Sequence, residues 1–190
     1  MKICLFGGSF DPVHAGHLAI ATAAREACGL DRVVFLPAAC SPFKEKSHVL
    51  FSDEKRLEML NAAVRDLPWA EVSDLDLRLP RPSWSWRLVE EYRKEYPDEE
   101  LFWLLGVDQW NLLHLWARPD YLAEQLTFIV CPRGGVTPLP RPDVAAVFLD
   151  VPEHPASSSA IRDSMGDGAS VPQGWLSPAV EECLGMPGGK

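Results

Sequence analysis

The sequence has 190 residues, of which 47% are hydrophobic and 24% charged, and its formal net charge is −9 at pH 7. This length fits one domain with a full hydrophobic core, expected over residues 1–190 with an ordered part of about 1–185. The negative charge argues against general nucleic-acid binding, which needs a basic face, but still allows a local positive pocket for a small anion.

Membrane and secretory signals are absent from the sequence. No run of about 18 apolar residues appears, so no membrane span is expected. The sequence starts directly with a predicted strand and lacks the hydrophobic region of a signal peptide. The five cysteines are scattered and lack C-x-x-C pairing, which is typical of reduced thiols rather than of a disulfide framework or zinc site. We therefore expect a cytoplasmic protein.

Short apolar runs alternate with amphipathic stretches along the chain, which predicts an α/β fold around a parallel sheet. Ser52 and Ser177 are predicted N-caps, and Pro178 suits the first position of the last helix. In chain order we predict strand 3–6, helix 18–28, strand 33–36, helix 52–67, a strand with alternating Val72, Leu75, Leu77 and Leu79, helix 88–96, strand 101–105, helix 119–125, strand 127–131, strand 144–149, a short helix from Ser157 and a last helix from Ser177.

Polar segments follow each predicted strand. In doubly wound sheets, ligands bind beyond the carboxyl ends of the strands, so these segments are predicted to meet in one polar crevice that favours anions. The segments are residues 7–17, Lys44, residues 83–85, residues 106–108, Arg133 and residues 157–162.

The first of these segments reads Gly-Gly-Ser-Phe-Asp-Pro-Val-His-Ala-Gly-His over residues 7–17. Its glycines allow a ligand to approach the backbone, and the following helix start offers unpaired N–H groups to phosphate. His14 and His17 share one face if the first turn is helical. The segment is neither a P-loop, because no lysine follows Gly8, nor a G-x-G-x-x-G loop, because Gly7 and Gly8 are adjacent.

This segment resembles the G-[ST]-F-[DN]-P-x-[HT]-x-G-H signature of the nucleotidyltransferase superfamily that shares its fold with class I tRNA synthetases. The resemblance implies a Rossmann-like, doubly wound, mostly parallel sheet with helices on both faces. It also implies that His14 and His17 contact the ATP phosphates and stabilise charge at the transferred α-phosphate. The preceding loop residues would belong to the same ATP site: Gly7, Gly8, Ser9 and Phe10.

A second motif, Ser-Ser-Ser-Ala-Ile-Arg, covers residues 157–162. Hydroxyls and N–H groups at a helix start, with an arginine one turn along, can hold phosphate, although a serine cluster alone is more often an ordinary helix cap. The motif resembles the S-[ST]-x-x-[IV]-R motif of the same superfamily. Carried over, this resemblance assigns Ser158, Ser159, Ile161 and Arg162 to ATP and makes Arg162 catalytic with the two histidines.

Gly106 and Asp108 match a third element of the superfamily, in which the carboxylate accepts hydrogen bonds from ribose hydroxyls. A helix-capping role for Asp108 is the competing interpretation, and both can hold. Asp108 is assigned to both the ATP and the acceptor sites. Arg133 follows the fifth predicted strand and is assigned to ATP binding.

The acceptor site is predicted from weaker matches. Trp116, followed by Ala117, stands where the nicotinate-mononucleotide branch keeps a tryptophan that stacks on the pyridine ring. Lys44 suits a phosphate, although Phe43 replaces a histidine that is usual in relatives. Ser83 and Ser85 retain hydroxyls where relatives read Ser-Tyr-Thr-x-Asp-Thr-Leu, and the serine at 85 would hold the nicotinate carboxylate. The chain departs from that motif at Arg87 and Leu88.

Over residues 2 to about 184 the chain resembles most the bacterial nicotinate-nucleotide adenylyltransferases. The resemblance implies transfer of adenylate from ATP to nicotinate mononucleotide, which gives deamido-NAD and pyrophosphate in NAD biosynthesis. The mononucleotide phosphate is already ionised at neutral pH and can attack the α-phosphorus directly, without a protein nucleophile or general base. Mg²⁺ would be carried with ATP rather than bound in a protein cage. ATP and nicotinate mononucleotide are the expected partners, without nucleic acid or membrane.

Three alternatives remain open on sequence. The acceptor could be nicotinamide mononucleotide, which lacks the carboxylate, or phosphopantetheine, although the sister enzyme usually has a shorter chain and lacks the Trp116 region. The chain could also be a non-catalytic nucleotide sensor on the same fold, against which both histidines and Arg162 argue. His48, His114 and His154 share no ligand spacing and are interpreted as structural or surface residues. The sequence does not distinguish a monomer from a homo-oligomer.

Overall fold

The computed structural model of the protein describes residues 1–39 and 49–186. The predicted phosphate ligand Lys44 lies outside these residues. The strands are β1 Lys2–Gly8, β2 Arg32–Pro37, β3 Ala70–Val72, β4 Glu100–Gly106, β5 Thr127–Cys131 and β6 Ala146–Phe148. The helices are α1 Ala15–Cys28, α2 Asp53–Val64, α3 Leu75–Arg78, α4 Ser85–Glu95, α5 Val107–Asn111, a 3-10 turn Leu113–Leu115, α6 Pro119–Gln125, α7 Ser158–Gly166 and α8 Pro178–Cys183.

The strands form one parallel sheet in the order β3-β2-β1-β4-β5-β6. The chain runs outward from β1 to β3 and then crosses back to β4, so the strand order reverses between β1 and β4. In doubly wound folds this switch point is where ligands bind. The predicted Rossmann-like fold class is confirmed, and the sheet is parallel at each pairing among the described strands.

Two hydrophobic cores cover the two faces of the sheet, as the period-2 alternation of side chains requires. Cys4 and Phe6 of β1 face the first core, which also receives α1, α2, α7 and α8. Ile3 and Leu5 face the second core, to which α4, α5 and α6 contribute. The four central strands β2, β1, β4 and β5 are therefore buried on both sides, which explains their nearly continuous apolar runs in the sequence.

The helix ends follow the local sequence signals. The hydroxyls of Ser52, Ser157 and Ser177 accept hydrogen bonds from the N–H groups three residues along and cap α2, α7 and α8. Gly29 ends α1 in the left-handed region with φ of 61°. None of the helices in the described part of the chain is long and apolar enough to cross a bilayer.

The third predicted strand is wrong over most of its length. β3 covers Ala70–Val72, and Leu75–Arg78 forms the short helix α3 instead. The alternation of Leu75, Leu77 and Leu79 predicts a strand, but Leu75, the first residue of α3, and Leu79, its C-cap, both pack against the second core, as residues four apart on a helix do. The short α5 and the 3-10 turn were not predicted, because segments of five and three residues show too little periodicity.

Candidate active site

A cavity of about 870 Å³ opens at the switch point, beyond the carboxyl ends of β1 and β4. Its volume lies within the range of roughly 300–1,000 Å³ that is usual for small-molecule and cofactor sites. The walls come from the loop after β1, the start of α4, the turn after β4, the start of α7 and the segment that precedes α7. The predicted convergence of polar segments is thus present.

The glycine-rich loop brings its backbone into close packing at the floor of the cavity. A Cβ on Gly7 would lie 3.0 Å from the Trp103 ring, and one on Gly8 would lie 3.0 Å from the Phe10 ring. Phe10 is buried and adopts a positive φ of 46°. Its ring fills the core beneath the loop, and this burial stabilises a backbone conformation that is rare for a large residue.

Buried polar groups hold this loop from behind. The fully buried Arg56 of α2 donates to the Ser9 carbonyl at 2.7 Å and to the Asp53 carboxylate at 2.6 Å. The buried carboxylate of Asp11 accepts from the N–H groups of Leu50 and Phe51 at 2.8 and 2.9 Å. These bonds fix the loop before any ligand arrives, which is the preorganisation that an anion site requires.

His14 and His17 lie side by side at the start of α1. Their ring centroids are 3.8 Å apart, and the N–H of His14 donates to Nδ1 of His17 at 3.2 Å. A Cβ on the intervening Gly16 would lie 3.0 Å from the His14 ring, so the glycine leaves room for this arrangement. Both rings line the cavity.

Both histidines are neutral at physiological pH. Burial, followed by the nearby His154 and Arg133, lowers the pKa of His14 to about 4. Burial against the Phe6 and Phe10 rings, followed by His14 and Arg133, lowers the pKa of His17 well below its ordinary value. Because Nδ1 of His17 accepts a backbone hydrogen bond, its proton is on Nε2, which can donate to a ligand.

The start of α7 packs onto the glycine-rich loop. The Ser158 hydroxyl donates to the Pro12 carbonyl at 2.9 Å, and Arg162 donates to the Asp11 carbonyl at 2.7 Å. Arg162 also contacts the Ser159 hydroxyl at 3.4 Å. The first N–H groups of a helix have no intrahelical partner, so this end of α7 can bind an anion with its backbone, the Ser159 hydroxyl proton and the other N–H groups of Arg162.

The turn from β4 to α5 places Asp108 and Arg133 at the rim. Their side chains pair at 3.6 Å, and a Cβ on Gly106 would lie only 2.4 Å from Oδ1 of Asp108. Oδ1 of Asp108 and Nδ1 of His14 are buried and have no hydrogen-bond partner among residues 1–39 and 49–186. Buried polar atoms without a partner are costly, and a polar ligand in the cavity would satisfy them.

Aromatic side chains form the opposite end of the cavity. Trp116 packs edge-to-face on Trp103, with centroids 6.0 Å apart and planes at 83°. The next residue but one, Arg118, lies over the rings of Trp86 and Tyr121 at 4.8 and 4.4 Å and thereby ties this segment to α4. These contacts fix the ring of Trp116, which lines the cavity and on which a flat ligand ring can stack. We call this side of the cavity the tryptophan wall.

The segment before α4 completes this end. Arg87, where the family motif has an aspartate, donates to the Pro80 carbonyl at 2.6 Å. The Ser83 hydroxyl donates to the buried carboxylate of Asp76. Ser85 is the first residue of α4, and Ser83, Trp84 and Ser85 line the cavity.

The structure brings nearly all predicted site residues to this one cavity. Lys44 lies outside the described residues. Ile161 does not line the cavity; its side chain is fully buried in the first core, and its N–H donates to the Ser157 carbonyl at 3.0 Å. The residues that line the cavity are Gly7, Gly8, Ser9, Phe10, His14, His17, Ser83, Ser85, Gly106, Asp108, Trp116, Ala117, Arg133, Ser158, Ser159 and Arg162.

Three residues near the site were missed from the sequence. Arg56 and Asp76 are buried charged residues that bond to Ser9 and Ala39, 47 and 37 residues away, so no local pattern reveals these contacts. His154 was interpreted as a structural or surface residue, but it lines the cavity, and its Nδ1 accepts from the N–H of Ala156 at 3.0 Å. The only sequence signal for a place in the site was that His154 lies three residues before Ser157, where the serine motif begins.

Comparisons with known proteins agree with this geometry. The family model described as cytidylyltransferase-like matches residues 5–164. A protein of Thermus thermophilus named "probable nicotinate-nucleotide adenylyltransferase" is 40% identical over 95% of this chain and 95% of its own length. A protein of Shouchella clausii with the same name is 37% identical over 96% of this chain and 93% of its own.

A solved structure also has this fold. The nicotinic acid mononucleotide adenylyltransferase of Plasmodium falciparum, complexed with NaAD, superimposes with a TM-score of 0.78 and 17% identity, covering 96% of this chain and 94% of the other. At that identity the match supports the fold alone. The family model and the two sequence relatives also show the family. The chain belongs to the cytidylyltransferase-like family and, within it, to the nicotinate-nucleotide adenylyltransferases.

Proposed function

We propose that the chain transfers adenylate from ATP to nicotinate mononucleotide, giving deamido-NAD and pyrophosphate, and that it does so as a single nucleotidyltransferase domain. One observation carries the proposal: the loop with His14 and His17, the start of α7 and the ring of Trp116 share one cavity at the switch point. A site for phosphates at one end and a flat ring at the other suits two nucleotides that react at their phosphates.

The reaction is a direct displacement. A 5′-phosphate oxygen of the mononucleotide attacks the α-phosphorus of ATP, a new P–O–P bond forms, and the bond to the β-phosphate oxygen breaks, so that pyrophosphate leaves. The attacking phosphate has a second pKa of about 6 and needs no base. Catalysis then consists of alignment and of stabilising the negative charge that develops on the phosphoryl oxygens.

The phosphate end would supply this stabilisation. In this proposal the neutral His14 and His17 donate hydrogen bonds to oxygens of the α-phosphate, with Nε2–H as the donor of His17. Arg162 and the N–H groups at the start of α7, with the Ser159 hydroxyl, would hold the departing phosphates. Neutral donors in a preorganised loop stabilise charge without the cost of burying two imidazolium ions.

The remaining assignments follow from position. Asp108, whose Oδ1 lies buried at the rim, would accept hydrogen bonds from ribose hydroxyls. Trp116, with Ala117, would stack on the pyridine ring, and Ser83 and Ser85 lie where its carboxylate is expected. Arg133 would contact ATP beside Asp108, and Lys44 keeps its predicted phosphate role.

Mg²⁺ carried with ATP fits these residues. The oxygens of a triphosphate supply much of the coordination shell of such an ion, so few protein ligands are needed. Among the described residues, no group of three or more His, Cys, Asp and Glu side chains has a metal-binding arrangement. The ion would shield phosphate charge, while the side chains named above orient the reacting groups.

The test is pyrophosphate release by the purified protein with Mg-ATP and, in separate reactions, nicotinate mononucleotide, nicotinamide mononucleotide or phosphopantetheine. We expect strong preference for nicotinate mononucleotide, with deamido-NAD as the product identified by mass. Preference for another acceptor would support adenylyl transfer but would show that nicotinate mononucleotide is not the preferred substrate. Release with none of them would overturn the function and favour a nucleotide sensor.

A further inference from the structure

Asp76 is a buried carboxylate that joins two loops of the cavity. It lies in α3 and is 3% exposed. One of its oxygens, Oδ2, accepts both from the N–H of Ala39 at 2.9 Å and from the Ser83 hydroxyl. Burying a carboxylate is costly unless it is hydrogen-bonded, so both contacts are needed to keep it in this place.

Its two partners belong to different walls of the cavity. Ala39 follows the end of β2 by two residues, and Ser83 precedes the start of α4 by two residues. Ala38, Asp76 and Ser83 all line the cavity. Asp76 therefore fixes the distance between the loop that leaves β2 and the loop that enters α4, beside the tryptophan wall.

The bond to Asp76 also limits what Ser83 can do. A serine hydroxyl has one proton, and that of Ser83 is donated to Asp76. Ser83 therefore has no hydroxyl proton left for a ligand carboxylate. Ser85 lines the same end of the cavity, and its hydroxyl has no hydrogen-bond partner in the described ranges of the chain.

We propose that Asp76 is a positioning residue for the acceptor nucleotide and that Ser83 acts as its structural link to α4, which leaves the ring carboxylate to Ser85, the serine already assigned to it. This inference rests on the proposed function and divides the two serines between different roles. It predicts that Asp76 and Ser83 act as one unit, whereas Ser85 sets the preference for a carboxylate over an amide.

The test is a double-mutant cycle on initial rates. Asp76→Ala and Ser83→Ala should each raise KM for nicotinate mononucleotide about tenfold, while KM for ATP stays within about twofold. The double variant should be no worse than Asp76→Ala alone, because without the Asp76 carboxylate the Ser83 hydroxyl has no link left to lose. Asp76→Asn keeps an acceptor oxygen of the same shape and should restore KM to nearly the wild-type value.

Ser85→Ala is the matched comparison. It should lower the preference for nicotinate over nicotinamide mononucleotide about tenfold or more, since a hydrogen bond to a charged group is lost. Ser83→Ala should leave that preference within about twofold. Thermal unfolding of each variant shows whether it folds, and Ser83→Ala keeps the test valid if Asp76→Ala does not.

The outcomes separate the two proposals. Absence of wild-type turnover with nicotinate mononucleotide would overturn the proposed function. With an active wild type, additive effects of Asp76→Ala and Ser83→Ala, an equal rise in KM for both substrates, or loss of acceptor preference in Ser83→Ala would each overturn the inference. Non-additive effects confined to the acceptor, with rescue by Asp76→Asn, would support it.

Discussion

The protonation state of two side chains decides how the proposed phosphate end of the cavity would work. His14 and His17 are neutral because they are buried beside each other and near Arg133. A pair of cations would attract phosphate strongly in the ground state as well as in the transition state. Neutral donors aimed at the position of the reacting phosphate can favour the transition state more selectively.

The first prediction concerns His17. Replacing it with alanine removes the donor that we propose stabilises charge in the transition state, and turnover should fall about 10²-fold or more. Pyrophosphate release at saturating substrates measures this loss, and circular dichroism shows that the fold is retained. His114→Ala, at an exposed position on the 3-10 turn, is the control and should keep wild-type turnover. Full activity of His17→Ala would contradict the proposed role of the paired histidines.

The second prediction concerns stability and pH. The pKa of His14 is about 4 in the folded chain and about 6.5 when unfolded, so between these values the unfolded chain binds more protons. Stability should therefore fall as pH decreases through this window, with about 2 kcal/mol lost through His14 between pH 6.5 and 5. His17 acts in the same direction.

Urea unfolding at several pH values measures this dependence. His14→Gln removes the titrating group, and its stability curve should be flatter between pH 6.5 and 4 than that of the wild type. Parallel curves for His14→Gln and the wild type would show that folding does not lower the pKa of His14.

At the scale of elements, the turn from β4 into α5 has no room for a side chain. A glycine is needed at position 106 because of the limited space and not because of the backbone conformation. Its φ is −78°, which any residue could adopt. A methyl group there would meet Oδ1 of Asp108 at 2.4 Å. The carboxylate would have to move, and with it the site proposed for ribose.

The third prediction follows from this turn. Gly106→Ala should weaken ATP binding about tenfold or more by displacing Asp108, as a lost hydrogen bond to a charged group does. Its effect on the free energy of unfolding should be smaller than its effect on binding. Calorimetric titration with a non-hydrolysable ATP analogue measures the affinity.

Gly166→Ala is the matched control for that experiment. Gly166 ends α7, and a Cβ there would meet nothing within 4 Å. This variant should bind the analogue as the wild type does and should gain up to about 1 kcal/mol of stability from reduced freedom of the unfolded chain. Equal affinity of the two glycine variants would show that the Gly106 turn does not position Asp108.

The elements also show what sequence could and could not predict. Five of the six strands and the loop after β1 were readable, because buried parallel strands are continuous apolar runs and the motifs are local. Leu75–Arg78 was misread, since four alternating residues fit one helical turn as well as a strand. Arg56 and Asp76 escaped notice because their partners, Ser9 and Ser83, become neighbours only in the folded chain.

For the whole molecule, the cavity joins parts of the chain that lie on both sides of the switch point. Its walls come from β1, β4 and α7, each of which packs into a core through its buried residues. A nucleotide bound there, as proposed, would contact both halves of the sheet at once. Ligand binding should therefore stabilise the whole fold and not one loop.

The fourth prediction concerns how much a bound ligand raises the free energy of unfolding. A non-hydrolysable ATP analogue at about 100 times its Kd should add about 2.7 kcal/mol to the free energy of unfolding. For a chain of this length that corresponds to a rise in Tm of roughly 5–10 °C. Adenosine at the same concentration lacks the phosphates and should raise Tm far less. Equal shifts with both compounds would place the main affinity away from the phosphate end.

The hydrogen bond between α7 and the loop after β1 joins two parts of the chain that are synthesised at different times. The Pro12 carbonyl and the Ser158 hydroxyl that holds it are 146 residues apart. At roughly 5–20 residues per second, Pro12 is synthesised about 7–30 s before Ser158. The earliest signature in the chain is therefore completed by one of its last elements, and a nascent chain that stops before α7 carries the histidines without a finished phosphate site.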